Sequence, residues 1–240
     1  MANNYFEFKQ FKVYQDKCAM KVGTDGVLLG LLSKVDFLSS TPNPNILDIG
    51  AGTGVVSLIA AQRLPNAVIT AVEIDADSAS QASDNFSLSP FASRLSVIQS
   101  DIQNFAPSTK YDLILCNPPF YNGTLTCPDS KRTLARHALS LSFEELASSA
   151  ARLLSDNGQF SVIIPTYAAE ELTAFCLTKG LYANHITKIF PNRNKQPKRV
   201  VIQYSRQNIP LLESELIIDD APSQKSAEFK ALVSDYYLRC

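Results

Sequence analysis

What this chain of 240 residues lacks narrows its possible roles first. No apolar run approaches the roughly 20 residues that a membrane-spanning helix requires. Met1-Ala-Asn-Asn is not a basic stretch leading into an apolar one, so no signal peptide is read there and a cytoplasmic location is expected. The cysteines (Cys18, Cys116, Cys127, Cys176 and Cys240) are odd in number, scattered, and form no CxxC pair. That pattern points to reduced thiols, not to a zinc site or a disulfide framework, and no metal is expected. Lys and Arg total 22 against 23 Asp and Glu, a formal charge of -1. There is thus no global basic field, and any nucleic-acid surface has to be a local patch. Internal repeats, low-complexity tracts and convincing linkers are also missing. With 45% hydrophobic and 19% charged residues, the composition is that of an ordinary globular chain long enough for one full core.

What is present alternates. Residues 5–15 alternate apolar and polar with a slip at Gln10, which reads as two short strands or one bulged strand. Thr24-Asp25 precedes Val27–Leu32, a cap and a short helix. Strands are then expected at 45–50, 67–73, 95–99, 111–116 and 159–165. Helices are expected at 55–64, 76–88, 143–154 and 168–179. Tyr182–Phe190 and Arg199–Ser205 follow with no helix between them, so they should pair antiparallel, and Ser226–Leu238 should form a last helix. The expected fold class is α/β, a mostly parallel sheet with helices on both faces; with its C-terminal antiparallel hairpin it resembles the Rossmann-like class I methyltransferase fold, whose sheet is seven-stranded. Residues 1–40 read as an N-terminal extension and 41–240 as the main domain, in one globular unit.

The first strand runs into Asp48-Ile-Gly-Ala-Gly-Thr-Gly54, and a helix follows. Gly50, Gly52 and Gly54 let backbone turn sharply and approach a ligand. The spacing is GxGxG after an aspartate, unlike the GxGxxG of dinucleotide-binding proteins. Glu73 ends the second strand, where a carboxylate can accept hydrogen bonds from ribose hydroxyls. Asp75 and Asp77 can do the same or cap the next helix. Asp101 follows the third strand and can accept from an adenine amine, with Ile102 packed on the ring; a helix cap is the alternative.

The fourth strand ends in Cys116-Asn-Pro-Pro-Phe-Tyr121. Pro118 and Pro119 stiffen the backbone and remove two N–H donors. The Asn117 side chain and the Pro118 carbonyl then make a pair of acceptors suited to the two protons of a planar NH₂. Such bonds draw the nitrogen lone pair out of conjugation and aim it at a methyl donor, by positioning and electrostatics without a strong base. Phe120 can stack on a base taken out of its stack. Arg132, Arg136 and His137 follow in a polar loop; Arg193, Lys195, Lys198 and Arg199 cluster between the two late strands. Both groups are candidates for substrate RNA phosphates or simply solvated charge.

These residues, with Phe8–Gly30, Ala135-Arg-His137, Gln196–Val200 and Asp235–Leu238, are similar to the bacterial tRNA1(Val) (adenine(37)-N6)-methyltransferase family nearly end to end. The resemblance implies S-adenosyl-L-methionine as cofactor and tRNA as partner, at the adenine 3′ of the anticodon of a valine tRNA. It further implies that Lys21 to Asp25 cover the cofactor, with Gly23 and Thr24 near its methionine end. Nothing in the sequence suggests an obligate partner, so a monomer is expected. Asn-Pro-Pro-Phe alone is shared with enzymes acting on rRNA guanine, DNA adenine and protein glutamine. A glutamine methyltransferase and a cofactor-binding regulator without turnover are therefore the rival readings.

Overall fold

The computed structural model describes residues 3–18, 20–119 and 141–238. The chain opens with a hairpin of β1 (Tyr5–Glu7) and β2 (Lys12–Tyr14), then α1 (Thr24–Leu32). The alternating series follows: β3 (Asn45–Ile49), α2 (Val55–Arg63), β4 (Val68–Glu73), α3 (Ala76–Ser87), β5 (Leu95–Gln99) and β6 (Tyr111–Cys116). After residue 140 come α4 (Phe143–Leu153), β7 (Leu154–Pro165), α5 (Ala169–Thr178), β8 (Tyr182–Asn192) and β9 (Arg199–Ser205). β10 (Leu212–Ala221), β11 (Gln224–Lys225) and α6 (Ala227–Val233) close the chain.

The large sheet runs β11-β10-β8-β9-β7-β6-β3-β4-β5. Strands β3 to β7 are parallel, and β9 is inserted antiparallel between β7 and β8, as the late hairpin predicted. The strand count is corrected: among the described residues the sheet has nine strands, because β10 adds parallel to β8 and β11 folds back on β10. In β10 only Leu216 is buried, so the strand carries little of the hydrophobic signal that marks its neighbours.

Both faces of the sheet are covered because its central strands carry apolar residues on both faces. Ile46 of β3 and Leu113 and Leu115 of β6 join the core beneath α1 and α2. Leu47 and Ile49, with Ile114 and Cys116, join the opposite core against α4 and α5. Helix α4 starts with a capping box, Ser142 and Glu145 bonding each other's backbone, and buries Leu146, Ala147, Ala150 and Leu153. Such a cap stabilises by about 1 kcal/mol. The N-terminal residues share the first core: Phe8 and Val13 pack in the cluster that holds Leu28, Ile59 and Val233. Helix α1 begins one residue earlier than a Thr24 cap implies. Gly23 is its N-cap, with no side-chain cap bond, and Thr24 and Asp25 are its first helical residues.

Strand order reverses between β3 and β6, whose successors turn to opposite sides of the sheet. The crevice at the carboxyl ends of strands at such a point is where open α/β sheets bind ligands.

Candidate active site

A cavity of about 1060 Å³ occupies that crevice. Its walls are the loops after β3, β4, β5 and β6, and its roof is the segment from Lys17 to Gly26. The glycine loop folds tightly: the Gly50 amide donates to Val72 carbonyl at 2.8 Å and the Gly54 amide to Ala51 carbonyl at 2.8 Å. Gly50, Gly52 and Gly54 all have positive φ, 71°, 54° and 80°. A Cβ on Gly50 or Gly52 would meet no atom within 4 Å, so this stretch of backbone faces open space, a cradle that side chains would fill. Gly54 points the other way, and a Cβ there would lie 2.5 Å from the Phe86 ring of α3.

Glu73 is buried and joins two loops. One carboxylate oxygen accepts from the Gly52 amide at 2.8 Å, the other from the Asp75 amide at 3.0 Å. Asp75 caps α3 by accepting from the Ser78 amide at 2.8 Å, which settles which aspartate is the cap. Asp101 accepts from the Gln103 amide at 2.9 Å through Oδ1, and Ile102 lies beside it in the cavity wall. Asp48 and Gly54, both expected at the cofactor, are not among the wall residues. Asp48 is buried behind the loop, where its Oδ2 accepts from the Ser57 amide at 3.1 Å and the Ser57 hydroxyl at 2.7 Å. Burial pushes its carboxyl up to about 6, against those bonds, with the Glu73 charge adding to the rise.

Asn117, Pro118 and the more exposed Pro119 follow β6 and all line the wall. The Asn117 side chain has no hydrogen-bond partner among the described residues. Helix α1 passes close by, and a Cβ on Gly26 would sit 3.9 Å from Asn117 Nδ2. Lys21, Gly23, Thr24 and Asp25 line the roof as expected. Asp25 is also the ion-pair partner of Arg199, with Arg199 Nε donating to its Oδ2 at 2.8 Å. One residue expected at the cofactor and one expected at RNA are therefore joined to each other. Arg193 pairs with Asp220 at 2.8 Å, while Lys195 and Lys198 have no ion pair among the described residues. Phe120, Arg132, Arg136 and His137 lie outside the described residues.

Several positioning residues escape a reading of motifs. Asn85 of α3, fully buried, accepts from the Tyr14 amide at 2.8 Å and donates to the Thr53 carbonyl at 2.9 Å, tying β2, just before the roof segment, to the glycine loop. Gln81 accepts from the Lys17 amide at 3.0 Å and Gln15 from the Val22 amide at 2.9 Å. Arg152 of α4 donates to the carbonyls of Ile102, at 2.8 Å, and Phe105, at 2.6 Å, holding the Asp101 loop. The only trace of Gln81 and Asn85 in the sequence is a pair of amides on the inward face of an amphipathic helix.

The site fits S-adenosyl-L-methionine. Its glycine cradle meets open space, and acceptors stand at two strand ends with an apolar residue beside the second. Among the described residues there is no cluster that could hold a metal ion, and no helix long and apolar enough to cross a membrane. The model of the family described as methyltransferase small domain matches residues 27–173. Among solved structures, a predicted O-methyltransferase from Agrobacterium tumefaciens superimposes with TM-score 0.65 at 21% identity, covering 88% of this chain and 95% of that one. A putative class I S-adenosylmethionine-dependent methyltransferase from Listeria monocytogenes gives 0.61 at 16%, covering 84% and 67%. Fold and site thus define a class I S-adenosylmethionine-dependent methyltransferase.

The sequence likeness is narrower. The tRNA1(Val) (adenine(37)-N6)-methyltransferase of Bacteroides thetaiotaomicron is 42% identical, and that of Phocaeicola vulgatus 45%, each over 99% of both chains. The chain belongs to the tRNA1(Val) (adenine(37)-N6)-methyltransferase family.

Proposed function

We propose that this enzyme transfers the methyl group of S-adenosyl-L-methionine to N6 of adenine 37 in a valine tRNA, as the names of its relatives state of them. The observation that carries the reading is the Asn117-Pro-Pro turn, which ends β6 in the wall of the cavity with the Asn117 amide unpartnered among the described residues. The cofactor, when bound, supplies an electrophilic methyl group.

The remaining work falls to this chain's residues. The backbone at Gly50 and Gly52 cradles the cofactor, and Glu73 accepts from its ribose hydroxyls while keeping its bonds to Gly52 and Asp75. Asp101 has one oxygen committed to Gln103 and offers the other to the adenine amine, with Ile102 against the ring. Lys21 to Asp25 close over the methionine end. Asn117 Oδ1 and the Pro118 carbonyl accept the two protons of the target amine, turning its lone pair toward the methyl group. The proton leaves after transfer, when the nitrogen is cationic, so no base is needed in the attacking step. Phe120 stacks on the target base. Arg132, Arg136, His137, Arg193, Lys195, Lys198 and Arg199 meet the RNA backbone, the enzyme acts as a monomer in the cytoplasm, and residues 1–40 form an extension over the cofactor.

Mass spectrometry of tRNA nucleosides from a deletion strain tests the reading. N6-methyladenosine should vanish from position 37 of the valine tRNA and return on complementation. An unchanged nucleoside profile, with methylation instead on a protein glutamine, would replace it by the rival acceptor.

A further inference from the structure

A second cavity, of about 570 Å³, opens beside the first. Thr24 and Asp25 line both, so the partition between them is the first turn of α1. The next residue, Gly26, is the one that approaches Asn117. The Asn117-Pro-Pro turn and the second cavity therefore stand on opposite sides of one helical turn.

The two cavities differ in chemistry. The second has an apolar floor of Leu28, Ile189 and Phe229, all buried. Its rim carries Lys198, Arg199 and Lys225, with Asp25 as the only acid lining it among the described residues. This is a local excess of positive charge on a chain whose net charge is -1. Asp25 is held by Arg199 Nε, and Arg199 Nη1 donates to the Lys198 carbonyl at 3.2 Å. Arg199 Nη2 and Lys198 Nζ have no protein partner among the described residues. The ion pair fixes the guanidinium in place while leaving a donor for a ligand, which is how an arginine is pre-organised for phosphate. Lys225 pairs with Asp219 at 2.8 Å and lies 5.3 Å from the centre of the Phe229 ring.

An apolar floor beneath a cationic rim is complementary to a flat ring carrying a phosphate, and the volume lies in the range of small-ligand sites, about 300–1,000 Å³. We infer that the second cavity is a subsite for one nucleotide of the substrate RNA beside the target adenine, its ring on the Ile189–Phe229 floor and its phosphate at Lys198 and Arg199. Enzymes that modify a base unstack it and splay the nucleotides around it, which gives a neighbour the freedom to enter. The inference rests on the RNA reading above and adds a defined place for a second nucleotide.

Two measurements test it, the first independent of turnover. The full chain is saturated with S-adenosylhomocysteine to fill the first cavity, then titrated with adenosine and uridine 5′-monophosphates and with the corresponding nucleosides. The monophosphates should bind at least about tenfold more tightly than the nucleosides, as expected for charge-assisted bonds to the phosphate. Lys198→Ala should remove about that factor, and Ile218→Trp, which fills the cavity, should abolish binding; both should keep wild-type Tm and S-adenosylhomocysteine affinity. In the second, an anticodon stem-loop carries an abasic ribose on one or the other side of the target adenine. One of these should lower kcat/KM about tenfold in the wild type, the loss expected from one stacked base, and cause no further loss in Ile218→Trp. Absent monophosphate binding, or binding unchanged in both variants, overturns the subsite, as do abasic penalties equal in the two enzymes. Phosphate-dependent binding without methylation of any RNA would instead retain the subsite and overturn the RNA reading.

Discussion

At and behind the cofactor end of the main cavity, the carboxylates of Asp48, Glu73 and Asp75 all accept from backbone amides, those of Asp48 and Asp75 from the first turns of α2 and α3 and that of Glu73 from the glycine loop and Asp75. At the acceptor end, Asn117 has no hydrogen-bond partner among the described residues, and outside that cavity Lys195 and Lys198, on the turn between β8 and β9, have no ion pair among them. The contrast separates two tasks. The first end must keep its loops in place before any ligand arrives, because a cradle made of backbone has no side chains to rearrange. The second must leave acceptors and cations uncommitted, since their partners come with the substrate. Buried polar groups are expected to be bonded, so an unpartnered amide at a cavity wall is a better marker of chemistry than a satisfied one.

The largest effect is expected at Asn117. Asn117→Ala should lower kcat about 10²–10³-fold, the scale of losing one preorganised transition-state hydrogen bond. S-adenosylmethionine affinity should stay within severalfold by calorimetry. Turnover close to wild type would remove the acceptor pair from the mechanism.

At the satisfied end the next largest effect is electrostatic. Asp48 is raised from 3.8 to about 6 in the folded chain, so between those values the folded state binds more protons than the unfolded one. Its contribution to stability is therefore most favourable at low pH and declines as pH rises through this window, by roughly 3 kcal/mol. Asp48→Asn removes the titration and keeps an acceptor for Ser57. Relative to wild type, its unfolding free energy should gain roughly that amount between pH 4 and pH 7.5 by urea denaturation. A pH-independent difference would show that the buried carboxyl does not titrate there.

The glycine loop offers a comparison within itself. Alanine at Gly52 meets only an unfavourable φ, whereas alanine at Gly54 meets that and the Phe86 ring. Gly54→Ala should be the less stable variant by about 1–3 kcal/mol, the cost of overpacking, and Gly52→Ala the one that loses more cofactor affinity. Equal melting temperatures would contradict the packing argument.

The smallest effects belong to the surface cations. Lys195→Ala should lower the salt slope of tRNA binding by about 1 without altering Tm. Arg193→Ala, which loses an exposed pair with Asp220, should change stability by less than about 1 kcal/mol. If the slope changes only in Arg193→Ala, the assignment of free and committed cations is reversed.

Much of this molecule is legible in its sequence. The alternating strands and helices, the antiparallel β8–β9 pair and the Asn-Pro-Pro turn follow from local apolar runs and from proline and glycine, whose effects are felt within a few residues. The edge strand β10 was not legible, because only one of its residues is buried and pairing with β8 is a long-range event. The roles of Asn85 and Arg152 were hidden for the same reason, since their partners lie 32 to 71 and 47 to 50 residues away.

The sequence by itself determined the class of chemistry: a glycine turn after a strand, acceptors at successive strand ends, and an acceptor pair for a planar amine. Which carboxylates face the cavity and which support it depends on contacts made in folding, which turn Asp48 inward to Ser57 and pair Asp25 with Arg199, 174 residues away. Spacing along a chain constrains the backbone locally. The direction of a side chain, and the charge or cavity it meets, depend on elements that only folding brings together.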